Sequence, residues 1–374
     1  MSRAFQPVRV GRWSLPQSFV MAPLTRNRAG VGMIPTELQA EYYGQRAGAG
    51  LIISEGTQPS AIGQGYLNTP GIHSADQVDG WRKVADSVHA AGGHLVIQLM
   101  HVGRIAHPDN KQGLDTVAPS AIAAPGTMVT ATGEHDMVLP RALETDEVPS
   151  IIAEFVDASR KAIEAGVDGV EIHAANGYLL HQFLAPSSNT RTDTYGGSPQ
   201  ARARLVIEVT RAVAQAIGPD RVGIRISPAH NIQGAIEDDP IETQATYDAL
   251  IEGIVDLGLA YLSILADPRS DLVADLRKRF DGPVILNTGF SHVTSLASVE
   301  SILNEGLADV VAVGRPYLAN PDLAERWRTG ATLNEPNPNT FYGGGTEGYT
   351  DYPTLSDQTP KPRSTDELGG MSAS

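Results

Sequence analysis

The chain has no cysteine among its 374 residues, which removes disulfides, thiolate metal ligands and a cysteine nucleophile from consideration. Lysine is scarce. There are five, and none stands at the C-terminal end of an apolar strand-like run, which argues against a Schiff-base aldolase. No apolar run approaches the roughly 20 residues a membrane-spanning helix needs, so no membrane association is expected. The 28 basic residues are outnumbered by 43 acidic ones, giving a formal charge of -15. No basic footprint suited to a phosphate backbone is present, so nucleic acid is not an expected partner, and a solvated acidic surface accounts for the charge. No G-x-G-x-x-G follows the first strand-like run and no Walker loop occurs. His94, His101, His107 and His173 form neither H-x-H nor H-E-x-x-H and have few carboxylates near them, so no metal site is expected. The first residues, Met1 to Pro7, lack an apolar core and a small-residue cleavage site, which leads to the expectation of a cytoplasmic protein.

What is present is a repeated alternation. Short apolar runs at Phe19–Met21, Leu51–Ser54, His94–Gln98, Gly169–His173, Val222–Ile226, Tyr261–Ile264, Val284–Asn287 and Val310–Val313 read as strands. Helical segments are expected at Glu37–Arg46, Val78–Ala90, Val148–Glu164, Pro199–Ile217, Glu242–Leu257, Leu272–Arg279, Thr294–Asn304 and Pro321–Thr329. Some carry i, i+3, i+4 apolar spacing, as at Leu205, Val209, Ala212, Val213 and Ala216. Eight strand–helix units favour a closed (β/α)8 TIM barrel, in the α/β class, over an open sheet. Gly11, between Val8–Val10 and Trp13–Leu15, suggests a hairpin over the lower mouth. The segment from about Met100 to Glu147 is a long loop after the third strand, with turn signals at Ala124-Pro125-Gly126 and Thr132-Gly133-Glu134; such loops are often lids. One domain over 1–355 is expected, followed by a polar mobile tail over 356–374.

In such a barrel, reactive groups belong at the C-terminal ends of strands. The fourth run ends in Val170-Glu171-Ile172-His173-Ala174-Ala175-Asn176-Gly177-Tyr178, where a turn at Gly177 can bring an imidazole, an amide and a phenol into one pocket. That set offers two hydrogen-bond donors for a carbonyl or nitro oxygen and one proton donor. Alone, a His or a Tyr here would read as packing; together they point to chemistry. Arg225 sits among apolar residues of the fifth run and needs either a structural carboxylate or a bound anion. The seventh and eighth runs exit into Asn287-Thr288-Gly289-Phe290 and Gly314-Arg315, the place where barrels hold phosphate.

Taken together, these residues resemble the Old Yellow Enzyme family of FMN-dependent NAD(P)H ene-reductases, over nearly the full length. The likeness rests on Met21 to Arg26, Ile53 to Gly56, Gln98 to Arg104, His173 to Leu184 with Ala185 to Arg191, Gly314-Arg315, and Phe341 to Pro353. It implies non-covalent FMN held by Pro23, Leu24, Thr25, Gly56, Gln98, Arg225, Gly289, Phe290, Gly314 and Arg315. Thr25 would donate to the flavin C4 carbonyl, Gln98 would offer both donor and acceptor to the pyrimidine edge, and Arg225 would stabilise negative charge near N1. Arg315 and the glycine amides would take the phosphate. His173 and Asn176 would polarise the activating group, Tyr178 would protonate Cα, and Tyr66, Met100 and Tyr342 would line the substrate pocket. Thr25 and the Tyr342 region resemble the branch that includes pentaerythritol tetranitrate reductase and N-ethylmaleimide reductase. Met100 stands where the family commonly has Trp, so a flexible thioether replaces a rigid indole.

The resemblance implies an enzyme of the NADPH dehydrogenase type, in which NADPH or NADH reduces FMN and the hydride passes to Cβ of enals, enones, maleimides or nitroalkenes, or reduces nitrate esters. The expected partners are these small molecules, with the protein a monomer or homodimer. A non-redox barrel hydrolase using the same mouth is the alternative, and a silent FMN carrier is a third reading against which Tyr178 argues.

Overall fold

The computed structural model describes residues 2–358, and its centre is a closed barrel of eight parallel strands. We number them β1 (Phe19–Met21), β2 (Leu51–Ile53), β3 (His94–Leu99), β4 (Gly169–Ala174), β5 (Val222–Ile226), β6 (Tyr261–Leu265), β7 (Val284–Asn287) and β8 (Val310–Val313). They pair in chain order, and β8 returns to β1 with Val311 opposite Phe19 and Val313 opposite Met21. The principal outer helices are α1 (Glu37–Gln45), α2 (Ala75–Ala90), α3 (Val148–Glu164), α4 (Pro199–Ile217), α5 (Pro240–Ile254), α6 (Asp271–Arg279), α7 (Leu296–Asn304) and α8 (Leu323–Thr329). The expected (β/α)8 architecture is the one found.

Strand residues alternate between two surfaces. Ile97, Leu99, Val170, Ile172, Ile224, Ile226 and Leu262 pack outward under the helices, while Val20, Leu51, Ile53, Val96, Ile285 and Val310 fill the lower interior. The expected N-terminal hairpin pairs Val8 with Leu15 and Val10 with Trp13 and drives Val10, Trp13 and Leu15 into that interior cluster. Close approach explains two glycines. A Cβ on Gly11 would lie 2.6 Å from Ala260 Cβ, and one on Gly169 would lie 3.0 Å from the Trp13 ring.

Differences from the sequence reading lie at element ends and in the long loop. Helix α2 starts at Ala75 rather than Val78 because Ser74 and Gln77 form a reciprocal capping box. Helix α5 starts at Pro240 because the Asp239 carboxylate accepts from the amides of Ile241 and Glu242. Within the loop after β3, Thr127–Thr130 pairs with Gly133–Asp136 as an antiparallel hairpin, its turn at the Thr132-Gly133-Glu134 signal. A short helix, Leu179–Leu184, was not expected. Of the expected tail, Ser356 to Gln358 belong to a short helix, Leu355–Gln358; residues 359–374 lie outside the described residues. Among the described residues no helix is long and apolar enough to cross a membrane.

The plug yields a stability test. Trp13→Ala removes a buried indole from the lower interior and should cost about 3 to 5 kcal/mol in denaturant unfolding. Because the plug closes the end of the barrel opposite the strand exits, the spectrum of any ligand bound there should be unchanged before unfolding begins. A loss below about 1 kcal/mol would mean that the indole is not part of the packed interior.

Candidate active site

At the C-terminal ends of the strands the interior changes from apolar to polar. Continuing the inward register, β3 presents Gln98, β4 presents Glu171 and His173, β5 presents Arg225 and β6 presents Ser263, with His173 opposite Arg225 and Arg225 opposite Ser263. Above them opens a cavity of about 790 Å³ lined by Pro23, Leu24, Thr25, Tyr66, Gln98, Met100, His173, Asn176, Tyr178, Arg225, Gly289, Phe290, Gly314, Arg315 and Tyr342. All the proposed site residues meet there except one. Gly56 is not part of the lining: it backs onto Met100, whose Cε would lie 2.4 Å from a Cβ at that position. Gly56 therefore makes room for the thioether.

The strand β4 exit holds the three reactive groups by backbone capture. Asn176 takes a left-handed conformation with φ 58, and its amide N–H donates to Ser227 Oγ at 2.8 Å. Gly177 follows with φ 79 and donates to His181 Nδ1 at 2.8 Å. The turn then presents Tyr178 as the first residue before the helix Leu179–Leu184. His173 Nδ1 accepts the Ala175 N–H at 3.2 Å, which places the proton of a neutral ring on Nε2. Burial first, then the Arg225 charge, hold this imidazole well below its usual pKa, so it is a neutral donor. Its ring lies edge-on to Tyr178 with centroids 5.1 Å apart. Burial raises the Tyr178 phenol above its ordinary range, and its hydroxyl is 3.0 Å from that of Tyr66.

The floor carries the charged groups. Arg225 is 4% exposed, and its Nε is buried without a hydrogen-bond partner; burial lowers its pKa and Glu171 pulls it back up. Gln98 donates its side-chain N–H to Glu171 Oε1 at 2.7 Å, so one donor that the sequence reading directed at a ligand is used inward. Arg315 turns its guanidinium to the carbonyls of Phe290 and His292 at 2.6 and 2.7 Å, bracing the loop after β7. Gly289 has φ 89 with no atom closer than 3.8 Å to a built Cβ. Its backbone conformation, not crowding, asks for glycine.

Several lining residues were not anticipated. Gln233 lines the cavity and donates to the Asn176 carbonyl at 2.7 Å, tying the loop after β5 to the β4 turn. Phe341 and Gly343 reach the cavity with Tyr342 because two arginines hold their segment. Arg26 donates to the carbonyls of Phe341, Thr340 and Gly348, and Arg28 donates to those of Gly345 and Thr340. Glu55, fully buried, accepts the Arg26 backbone N–H at 3.1 Å and the Gln39 amide at 3.0 Å. Val129 of the loop hairpin completes the rim.

Comparison with known proteins identifies the family. A family model described as the NADH:flavin oxidoreductase / NADH oxidase family matches residues 3–334. A probable flavin mononucleotide-dependent alkene reductase of Leishmania infantum is 40% identical over 360 residues, covering 94% of this chain and 97% of its own. Among solved structures, morphinone reductase in complex with tetrahydroNAD superposes with a TM-score of 0.89 at 44% identity, covering 96% of this chain and 99% of its own. The old yellow enzyme homologue from Zymomonas mobilis gives 0.89 at 39% identity, covering 94% and 99%. The hydrolase alternative has no counterpart among these relatives. The chain belongs to the NADH:flavin oxidoreductase family, that of Old Yellow Enzyme, and is a flavin-dependent reductase of activated alkenes.

Proposed function

We propose that the protein uses NAD(P)H to reduce the activated C=C bond of enals, enones, maleimides and nitroalkenes, and that it also accepts nitrate esters. The observation that carries this reading is the convergence of His173, Asn176 and Tyr178 on one cavity whose floor holds Arg225 with an unanswered Nε. Such a floor fits a flavin, whose pyrimidine edge carries acceptors and which becomes anionic on reduction. Pro23, Leu24, Thr25, Gln98, Arg225, Gly289, Phe290, Gly314 and Arg315 would hold FMN through hydrogen bonds and charge, with no cysteine to form a thioether link. Bound FMN supplies the hydride, taken from NADPH or NADH.

The side chains would then divide the work. His173 Nε2–H and the Asn176 amide would hold the carbonyl or nitro oxygen and draw electron density from Cβ, making it the electrophilic carbon. Neutral imidazole suits this role, since it donates without a proton to lose at neutral pH. Tyr178 would give its proton to Cα; a phenol whose pKa is raised by burial stays protonated until it is needed. Tyr66, hydrogen-bonded to it, would hold that hydroxyl in place. Met100 and Tyr342 would shape the substrate's approach, and a cytoplasmic enzyme acting on small molecules is the setting we infer.

Three measurements test this reading. Acid or heat should release FMN into the supernatant; flavin retained on the precipitated chain, or FAD in its place, would refute the cofactor assignment. His173→Ala should weaken phenol binding and raise the barrier to alkene reduction by about 2.7 to 4 kcal/mol, as loss of one preorganised donor does. Unchanged phenol affinity and turnover would remove His173 from the oxyanion role. Tyr178→Phe should slow reoxidation by simple enones by about 10² to 10⁴-fold while leaving reduction by NAD(P)H nearly intact. Stopped-flow measurement of both half-reactions separates the outcomes: equal loss in both, or no loss with cyclohexenone, would mean that Tyr178 only shapes the pocket.

A further inference from the structure

Beneath the cavity floor lies a carboxyl group with no part in the chemistry above. Glu171 is fully buried on β4, in register with Gln98 of β3 and Gly223 of β5. Its Oε1 accepts the Gln98 amide at 2.7 Å, while Oε2 is buried without a hydrogen-bond partner. The Tyr261 ring lies across Gly223, where a Cβ would come within 2.2 Å of Tyr261 Cζ, and its hydroxyl is likewise buried without a hydrogen-bond partner. The glycine leaves the space through which the phenol approaches the carboxylate from the lower side. Arg225, two residues beyond Gly223, feels the Glu171 charge.

This arrangement does two things to the floor. An amide can present either its carbonyl or its N–H to a ligand, and Gln98 is committed by its N–H to Glu171, which turns the carbonyl the other way. A carboxylate that is near Arg225 without binding it also offsets the cation's field while leaving the guanidinium donors for another group. We propose that Glu171 is a positioning residue of the cofactor site. It fixes which end of Gln98 faces the cavity and reduces the effective charge of Arg225, thereby setting how strongly the site prefers anionic over neutral flavin. This rests on the reading that Gln98 and Arg225 face FMN.

The test uses the FMN-loaded protein and its apoprotein. The groups facing Glu171 are Gln98, Arg225 and Tyr261; burial raises the carboxyl above its ordinary range and Arg225 opposes this, so the midpoint is measured at about pH 8, well to the alkaline side of the ordinary carboxylate range. Glu171→Gln keeps an acceptor for Gln98 but removes the charge. The affinity ratio of reduced to oxidised FMN should rise about tenfold, which is about 30 mV in a two-electron midpoint. Glu171→Leu removes the acceptor too, and its apoprotein should bind oxidised FMN about tenfold more weakly than that of Glu171→Gln, because the Gln98 N–H is left unpaired. An unchanged midpoint in Glu171→Gln overturns the proposal, as does equal FMN binding by the two variants. If Glu171→Leu does not fold, the midpoint alone decides. Wild-type protein that binds no FMN overturns the cofactor reading itself, a failure distinct from FMN bound at an unaltered midpoint.

Discussion

A guanidinium enclosed by strands of valine, isoleucine and leucine is tolerable only if its charge is answered, and at Arg225 the surrounding structure is arranged around that requirement. The carboxylate that acts on it, Glu171, comes from the neighbouring strand and is itself engaged by Gln98 from the next strand. Gly223 clears the space for Tyr261 below. The polar side chains of β3 to β6 thus form one layer, set between the apolar plug beneath and the cavity above. The inward alternation of each strand is kept throughout; only the chemistry of the inward residues changes, from Val96 to Gln98 on β3 and from Gly169 through Glu171 to His173 on β4.

The rim above that layer is secured by a second set of buried arginines. Arg26, Arg28 and Arg46 are satisfied largely by backbone carbonyls. Arg26 and Arg28 reach those of the segment around Phe341 to Gly348, and Arg46 reaches Tyr317, Leu318 and Tyr349. Their planar groups also lie over the faces of Tyr42 and Tyr349, which stack on each other with centroids 4.0 Å apart. A loop cannot be buried with its carbonyls unpaired, and these forks pair them. Tyr342 can therefore stand largely exposed at the cavity mouth on a segment that is itself anchored.

The strands were legible because each carries a short apolar run between turn residues, and four of the eight, β1, β5, β7 and β8, have the expected bounds. Closure was legible only from the count of eight units, since the pairing of Val311 with Phe19 joins residues with no local relation. The helix Leu179–Leu184 escaped because all six of its residues are buried, leaving no polar face to mark a period; His181 and Gln182 spend their polarity on Gly177, Val102 and neighbouring backbone. The grouping of His173, Asn176 and Tyr178 was legible from side-chain type and the strand exit, and the three do line one cavity. The site was not legible where the partner is backbone: nothing in the sequence says that Arg26 answers carbonyls more than 300 residues away, or that Gln233 holds the carbonyl of Asn176. At Gly56 the contact that calls for glycine was hidden for a related reason, since its neighbour Met100 is what its missing side chain admits.

Of the two partners the sequence left open at Arg225, carboxylate or anion, the structure supplies a carboxylate nearby. Glu171 acts on the guanidinium through space without taking up its Nε, so the charge is partly balanced while a donor is kept. The residual positive field then acts on the residue opposite, because His173 pairs with Arg225 in the strand register. A second cation beside the first would be repelled, and burial adds to the penalty, so the imidazole is held neutral. With Nδ1 accepting from Ala175, neutrality dictates that Nε2 bears the hydrogen. The buried charge of Arg225 thus helps to keep His173 neutral, the Ala175 N–H decides which ring nitrogen carries the hydrogen, and one pair of residues across adjacent strands sets the state of this donor.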